Sequence, residues 1–576
     1  MIYNKDISSL KSELDLSDEI LHILVNRGVC TVDEINKFLN PKLEELHDPF
    51  LMADMDIAVD IIMDSIDNDE HIHIVGDYDQ DGNSATVTLI KGIGRLHDRI
   101  TYAIPDRVED GYGINERIVD TAKNNGVSLI ITCDNGISAH ETIKYAKENG
   151  IKVIVTDHHQ VKQDNGIQDL PSADAVINPK RSDCEYPFKE LCGAGVAYKL
   201  ICGLYGAMGV PLEESYDLLQ FVAMGTVCDV VDLLGENRII TVEGLKRINS
   251  TDNLGLLSLI SENSWNKPVD VYALGFVIGP CINASGRLST ARLGVELFLE
   301  EDENLVLNYA SELVRLNNER KDLTQSTYDD VLEQVNNKGL YKNDIIVTHS
   351  QNAHESIVGI VAGRIKDRFH RPTIVFADSK DDGIIKGSGR SIEAYDMHNK
   401  LTEAGDLLIS FGGHKMAAGL SLKYDNLNLF NHFINSNSDL TKENLRKEIT
   451  IDVAYPVENL NEEFINGLEI LEPFGKANSK PIFADKNLDL LNYQIMGKNQ
   501  NVIKLNVFKN GRVLECIAFG DVQSIEEYLV NKFKGRSINA YSTKDRTPNY
   551  IDLVYFPKVN EFRGNRSIQL QIIDLR

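Results

Sequence analysis

Val75-Gly76-Asp77-Tyr78-Asp79-Gln80-Asp81-Gly82 follows the short β-branched run Ile72 to Val75, and two clusters of the same kind come later in the chain. Thr132-Cys133-Asp134-Asn135-Gly136 ends the run that starts at Val127, and Asp157-His158-His159-Gln160 ends the run Val153 to Thr156. Each run reads as a strand and each cluster as the loop at its carboxyl end. Open parallel sheets bind ligands outside the carboxyl ends of their strands, so clusters far apart in sequence meet in one crevice. Carboxylates mixed with imidazoles there predict a divalent metal site, and a double one.

The composition sets the frame. At 576 residues the chain is too long for one core and predicts three or four domains. With 42% hydrophobic and 25% charged residues, and no apolar run of membrane-spanning length, it reads as a soluble protein. Residues Met1 to Leu16 mix Lys5, Asp6, Lys11 and Glu13 with isolated apolar positions, which is no secretory signal; a cytoplasmic protein without membrane contact is expected. Eight cysteines without a C-x-x-C pair indicate neither a zinc knuckle nor a disulfide framework, so reduced and mostly buried thiols are expected. A net charge of −28 argues against nonspecific coating of nucleic acid. The segment Val361 to Leu420 is different. Its basic residues, among them Arg364, Lys366, Arg368, Arg371, Arg390 and Lys415, nearly balance its acidic ones, so a polyanion has a local foothold there.

Along the chain, residues 1 to about 60 read as a small helical lead-in, with Leu10, Leu14, Ile20, Leu21 and Leu24 at helical spacing. From Glu70 to about Asp232, strand, glycine-rich turn and helix alternate, which implies βαβ units and a parallel sheet. Ala291 to about Asn337 reads as one extended helix joining two domains, with Tyr309, Leu313, Leu316, Leu323, Tyr328, Val331 and Val335 near a 3.5-residue period. A second α/β segment follows, with strands at Ile345–Thr348 and Thr373–Phe376 and a helix at Ser356–Phe369. Beyond about Leu440 the pattern turns to β, with strands at Ile449–Val457, Asn501–Phe508, Val513–Phe519, Ile551–Phe556 and Ile568–Ile573, and Asn510-Gly511 as a type I′ hairpin turn. The domains expected are thus a lead-in at 1–60, a catalytic domain at 61–290, a connecting helix at 291–338, a substrate-binding α/β domain at 339–440 and a β domain at 441–576.

Each cluster has a bland counterpart. Asp77-x-Asp79-x-Asp81-Gly82 fits the opening of an EF-hand loop, but Thr88 stands where the twelfth-position Glu is needed and no helix enters the loop. A plain turn has the same Asp and Gly content, and Asp134-Asn135-Gly136 alone is an ordinary turn sequence. Asp157-His158-His159 is sharper, because imidazole is a standard transition-metal ligand, although a surface histidine pair has the same letters. Asp229 lies in the apolar run Gly225-Thr226-Val227-Cys228-Asp229-Val230-Val231, where a carboxylate needs a cation or several donors, or else marks the end of a helix or strand. Together the four clusters support one another. Their mix of carboxylate and imidazole is the preference of manganese and accepts magnesium or iron, which disfavours zinc.

In this order the clusters resemble the four motifs of the DHH phosphoesterase superfamily, named for the triplet seen here as Asp157-His158-His159. Within it the chain is similar, over nearly its whole length, to the bacterial RecJ family of single-stranded-DNA-specific exonucleases. Further stretches carry the likeness: Cys192-Gly193-Ala194-Gly195-Val196-Ala197, Gly279-Pro280-Cys281-Ile282-Asn283-Ala284-Ser285-Gly286-Arg287-Leu288, Gly387-Ser388-Gly389-Arg390-Ser391, Phe411-Gly412-Gly413-His414-Lys415 and Leu471-Glu472-Pro473-Phe474-Gly475. The resemblance implies an α/β multidomain fold: a parallel-sheet DHH domain, a long connecting helix, a second α/β DHH-associated domain, and a C-terminal β-barrel of OB type. Longer members carry a further C-terminal domain, which is not expected in this sequence.

The resemblance also implies roles. Asp79, Asp81, Asp134, His158 and Asp229 bind two Mn2+ or Mg2+ ions, and Asp77 is either a further ligand or a group that orients one. His159 contacts the phosphate or protonates the leaving oxygen. Asn283, Arg287, Ser388, Arg390, Gly412, Gly413 and His414 grip the strand, through backbone amides, a hydroxyl, an imidazole and guanidinium groups that suit phosphate oxygens. The glycines by themselves read equally as turns. Arg107 holds a 5′-terminal phosphate, although a lone arginine by itself reads as a solvated surface residue. Phe508, Phe519, Tyr555 and Phe556 are the aromatics available for base stacking in the barrel, at least half of them assigned to its core by strand alternation.

The activity implied is 5′→3′ hydrolysis of single-stranded DNA to mononucleotides, in recombination and repair. The protein is expected to act as a monomer, with a single-strand-binding protein as candidate partner. Two other readings compete: a DHH oligoribonuclease or cyclic-dinucleotide phosphodiesterase, and a non-catalytic single-strand-binding replication scaffold. Retention of every expected ligand argues against the scaffold.

Overall fold

The computed structural model describes residues 7–107, 110–164, 166–497, 500–520, 522–534, 547–562 and 564–576, so the first six residues of the lead-in lie outside the described set. The chain divides into two compact units. One contains His47–Asp229 and Glu243–Glu448, the other Met1–Leu46, Val230–Val242 and Ile449–Arg576.

The first unit holds two five-stranded sheets. Strands β1 (Ile72–Val75), β2 (Ile100–Ala103), β3 (Leu129–Cys133), β4 (Lys152–Thr156) and β5 (Ala175–Ile177) form an all-parallel sheet in the order β2-β1-β3-β4-β5. The runs Ile-His-Ile-Val and Leu-Ile-Ile-Thr-Cys are buried along their whole length, as strands covered on both faces by helices must be. Because β2 lies on one side of β1 and β3 on the other, the chain reverses direction at β1, and a crevice opens there at the carboxyl ends. Helix α1 (Gln80–Gly94) follows β1, while α2 (Gly193–Met208) and α3 (Leu219–Cys228) pack against it.

The extended helix expected from Ala291 is two helices. Arg292–Leu299 ends at Glu300, and Asp302 then caps a new start by accepting from the amides of Asn304 and Leu305. The 35-residue helix Glu303–Asn337 packs at one end on α4 (Gly279–Leu288) and at the other on the second sheet's helix Val358–Phe369. We label these two α5 and α6.

The second sheet has the order β9-β10-β8-β7-β6, built from β6 (Ile346–His349), β7 (Thr373–Asp378), β8 (Ile384–Arg390), β9 (Ser410–His414) and β10 (Ala417–Lys423). Only β6 and β7 run parallel; the other pairs are antiparallel.

The other unit is a β-barrel. Strands β11 (Val453–Ala454), β12 (Phe483–Met496), β13 (Val502–Lys509), β14 (Arg512–Phe519), β15 (Tyr550–Phe562) and β16 (Asn565–Leu575) pair in the order β11-β12-β13-β14-β16-β15, and β15 pairs back onto β12 to close the sheet. Asn510 and Gly511, both at positive φ, make the expected hairpin turn between β13 and β14. The strand expected at Ile449–Val457 is reduced to the pair Val453–Ala454, because Pro456 follows two residues later and caps a helical turn. Helices Ser8–Glu13, Asp18–Asn26 and Val32–Leu39 pack on this barrel, with Leu21 and Leu24 in its core beside Leu468 and Val507. A buried guanidinium ties the parts together: Arg238 stacks 3.8 Å from the Phe38 ring centroid and donates to the carbonyls of Phe38 and Glu472 at 2.7 and 2.6 Å.

All cysteines are free. Cys30 is exposed, Cys228 half-buried and the other six buried.

Candidate metal centre and catalytic site

Three neighbouring strands deliver the acidic and imidazole groups. Asp77, Asp79 and Asp81 follow β1, Asp134 follows β3, and Asp157, His158 and His159 follow β4. Asp229 comes from elsewhere, as the residue that ends α3, where an apolar helix runs its last carboxylate into the crevice. Asp77, Asp81, Asp134 and Asp157 are each at most 3% exposed.

These side chains converge as three overlapping donor groups, Asp134 with His158 and His159, Asp81 with His158 and Asp229, and Asp77 with Asp79 and Asp134. Within each group the ligand atoms lie within 4.8 Å of one another. Asp134 and His158 each belong to two groups, which is the arrangement of a paired site with shared ligands. His158 Nε2 lies 3.1 Å from Asp134 Oδ1, 3.8 Å from Asp229 Oδ2 and 3.9 Å from Asp81 Oδ2. Thus Asp77, Asp79, Asp81, Asp134, His158, His159 and Asp229 all come together.

The residues fit divalent cations by two observations. Asp77 Oδ1 and His158 Nδ1 are buried without a hydrogen-bond partner among the described residues, a costly state unless another group occupies the site. The carboxylates also crowd one another. Burial, then the charge of Asp81, pushes the Asp134 carboxyl well above the usual range, and burial with Asp79 does the same to Asp77. Burial and Asp79 raise Asp81 to about 6, while burial and Asp81 raise Asp229 to about 7. A cluster that resists its own ionisation is stabilised by cations. Oxygen and imidazole donors without thiolate suit Mn2+ or Mg2+.

Neighbouring backbone holds the donors in place. Asp79 caps α1, its Oδ1 accepting from the amides of Asp81 and Gly82 at 2.9 and 3.1 Å. Asp81 accepts from the amides of Gly193 and Ala194 at 2.6 and 3.0 Å, where α2 begins. Glycine is required at two contacts. A Cβ on Gly193 would stand 2.5 Å from Asp134 Oδ1, and one on Gly225 2.5 Å from Asp81 Oδ1.

Two residues outside the expected set act on His159. Asp157 Oδ1 lies 2.7 Å from His159 Nδ1 and accepts from the amides of His158 and His159. Burial opposes the charged imidazole, but this carboxylate outweighs it and raises His159 to about 9. Burial likewise opposes the Asp157 anion, and the pairing with His159 still keeps that carboxyl below its usual range. Tyr112 donates its hydroxyl to the Asp134 carbonyl at 2.6 Å, 3.3 Å from His159 Nδ1. Its sequence signal is a tyrosine between Gly111 and Gly113, both at positive φ.

The expected strand-gripping residues fall into three places. Arg287, Arg107 and Arg390 lie within electrostatic reach of one another, and burial followed by the Arg107 charge lowers Arg287 to about 10. Their hydrogen bonds go to neutral acceptors: Arg287 donates to the Ser356 carbonyl at 2.7 Å and Arg390 to Ser388 Oγ at 2.9 Å, while Arg107 lies 4.9 Å from the Tyr78 ring centroid. These cations are available to phosphate. Asn283 is already engaged, its Oδ1 accepting from the Gln80 amide at 2.8 Å and so fixing the loop between Asp79 and Asp81.

The amides around Gly387-Ser388-Gly389 are not free as a turn would leave them, because β8 is an inner strand paired with β7 and β10; the Ser388 hydroxyl and Arg390 guanidinium are the groups on offer. Gly412, Gly413 and His414 lie on the edge strand β9, which has one neighbour. A cavity of about 640 Å³ runs from His159 and Tyr112 past Ile137 and Lys162 to His398 and His414, a volume that takes a nucleotide.

Family models match in the order of the fold: the DHH family N-terminal domain over residues 71–226, the DHHA1 domain over 342–437 and the RecJ OB domain over 451–574. The single-stranded-DNA-specific exonuclease RecJ of Bacillus subtilis (strain 168) is 36% identical over 571 residues, 99% of this chain and 69% of that one. The chain belongs to the RecJ family. The RecJ of Salmonella typhimurium is 35% identical over 97% of this chain and 96% of its own. A crystal structure of RecJ in complex with Mn2+ from Thermus thermophilus superposes with a TM-score of 0.79 at 25% identity, covering 98% of this chain and 76% of that one. The architecture expected from the RecJ resemblance is the one observed, with DHH, DHHA1 and OB domains.

Proposed function

We propose that this RecJ-family chain is a metal-dependent exonuclease that hydrolyses single-stranded DNA from the 5′ end to mononucleotides, in DNA recombination and repair. The observation that carries the reading is the convergence of three donor groups linked through Asp134 and His158, each of which belongs to two of them. Asp79, Asp81, Asp134, His158 and Asp229 hold two Mn2+ or Mg2+ ions, and Asp77 joins Asp79 and Asp134 as a further donor. When bound, the ions supply Lewis-acid stabilisation of the charge that builds on the phosphate oxygens.

The chain's own residues supply the rest. His159, kept protonated by Asp157, offers its other ring N–H to the scissile phosphate and a proton to the leaving 3′ oxygen. Arg107, Arg287 and Arg390 neutralise the phosphates that flank the break, and Arg107 takes the 5′-terminal one. Ser388, His414 and the open edge at Gly412 and Gly413 line the approach, while Asn283 keeps the Asp79 to Asp81 loop rigid. In the barrel, Phe519 is 56% exposed and Lys558 lies 5.9 Å from its ring centroid, a pairing that suits a base and its phosphate; Tyr555 is buried in the core.

The domain scheme of the reading is 1–60, 61–290, 291–338, 339–440 and 441–576. The enzyme of this reading acts as a monomer. A single-strand-binding protein is the partner that its substrate brings with it. Among the described residues no helix is long and apolar enough to cross a membrane. A DNA substrate supports a cytoplasmic setting.

The deciding experiment digests one DNA strand labelled at either end, with Mn2+ and with Mg2+, beside its duplex and beside di- and trinucleotides. Early release of the 5′ label as a mononucleotide from the long single strand is expected. Release from the 3′ end, or activity confined to the shortest substrates, overturns the reading.

A further inference from the structure

Immediately ahead of α4, which carries Asn283 and Arg287, three aromatic rings lie in series on the protein surface. Tyr272 and Phe276 stack with centroids 5.1 Å apart and planes at 25°, and Trp265 continues the series 6.3 Å from Tyr272 at 31°. Tyr272 is 59% exposed and Phe276 68%. Singly exposed aromatics are ordinary, but three in register are not scattered. The base of the stack is anchored, because Trp265 packs against the buried core that holds Leu274 and Ile278, and its indole N–H donates to the Pro268 carbonyl. The far end is open, Phe276 being the most exposed ring of the three.

The segment that presents Phe276 is a π-turn, Leu274–Ile278, a conformation frequent at functional positions. It is fastened to the end of α3, which delivers Asp229. Cys228 Sγ donates to the Leu274 carbonyl at 3.6 Å, and a Cβ on Gly279 would stand 2.3 Å from that sulfur. The segment beneath the rings is therefore fastened to the residue before Asp229 and runs directly into the helix that carries Arg287. Lys267 is exposed two residues after Trp265 and supplies a cation for a nearby phosphate.

We propose that Trp265, Tyr272 and Phe276 form a stacking platform for bases of the single-stranded DNA outside the catalytic crevice, with an unstacked base occupying the open face of Phe276. The inference rests on the exonuclease reading for its ligand. A single strand fits because its bases are planar, unpaired and able to extend a ring series regardless of sequence, whereas a duplex keeps its base faces covered.

The test titrates the full chain, with divalent ions chelated, with oligothymidylate and with an abasic strand of the same length, following strand anisotropy. Oligothymidylate should bind more tightly than the abasic strand. Phe276→Ala and Phe276→Leu should each weaken oligothymidylate binding by roughly tenfold, and Phe276→Tyr should restore it. Equal affinity for the two strands, unchanged affinity in Phe276→Ala, or full affinity in Phe276→Leu would overturn the platform; the last would mark a plain apolar contact. End-label digestion with the same preparation separates the two failures. Release of the 5′ label beside unchanged affinity in Phe276→Ala removes the platform alone, whereas no digestion with either metal removes the exonuclease reading.

Discussion

Asp157 Oδ1 sits 2.7 Å from His159 Nδ1 and at the same time accepts from the amides of both histidines, so the first residue of the triplet is a scaffold for the other two. Its charge is what keeps His159 protonated up to about pH 9 against the opposing effect of burial. Asp157→Asn keeps the shape and removes the charge, so the His159 proton is lost at lower pH. The alkaline limb of the pH profile of kcat/KM should move toward lower pH, with kcat at neutral pH down by about a hundredfold. Mn2+ stoichiometry, measured by calorimetry, should hold; an unmoved limb would free His159 from this role.

Asp134 is shared by two of the three donor groups, so Asp134→Ala damages both at once. Turnover should fall by several orders of magnitude with either metal. The arginines at 107, 287 and 390 are untouched, so binding of a single strand, followed by anisotropy, should stay within a few-fold of the parent. Full nuclease activity in this variant would remove the metal assignment.

Gly225 tests how closely the helices approach the cluster. An alanine there meets Asp81 Oδ1 at 2.5 Å and the Ala194 Cβ at 2.8 Å, and neither belongs to a flexible side chain with room to retreat. Gly225→Ala should cost about 1 to 3 kcal/mol of stability by overpacking, seen as a lower Tm, and should weaken Mn2+ binding by displacing Asp81.

The strand-end clusters at Asp77, Asp134 and Asp157 were legible because a β-branched run followed by Asp, Asn and Gly is a local signal, and the sheet order then brings the three loops side by side. Asp229 was legible only as a carboxylate in an apolar run, since nothing in its neighbours says that α3 ends facing β1. Tyr112 and the scaffold role of Asp157 depend on contacts between loops that local pattern does not encode. The interruption at Glu300 to Asp302 was hidden because the apolar period resumes on the far side, and only Asp302 as a cap betrays it. Residues Gly387 to Gly389 look like a turn by composition, yet they form an inner strand. A Cβ on Gly387 would stand 2.6 Å from the Phe376 ring, so it is close packing rather than chain reversal that selects glycine. The helices at 8–39 join the barrel through partners such as Phe38 and Arg238, separated by two hundred residues, a distance no local window spans.

His73 gives the fold a dependence on pH that is separate from catalysis. It lies on β1, 7% exposed, with Nδ1 2.8 Å from Thr101 Oγ1, and burial followed by the nearby His71 lowers it to about 4. A buried histidine of this kind stays neutral in the fold while the unfolded chain takes up a proton near pH 6.5. Stability from this source is therefore complete above that pH and is lost as pH falls toward 4. Between about pH 7.5 and about pH 5 the loss amounts to about 2 kcal/mol. Urea unfolding of the chelated protein at the two pH values should show that loss in the parent. His73→Asn, which cannot titrate, should lose less by about the same amount, although it starts from a lower stability. Equal losses in the two proteins would place the proton uptake elsewhere.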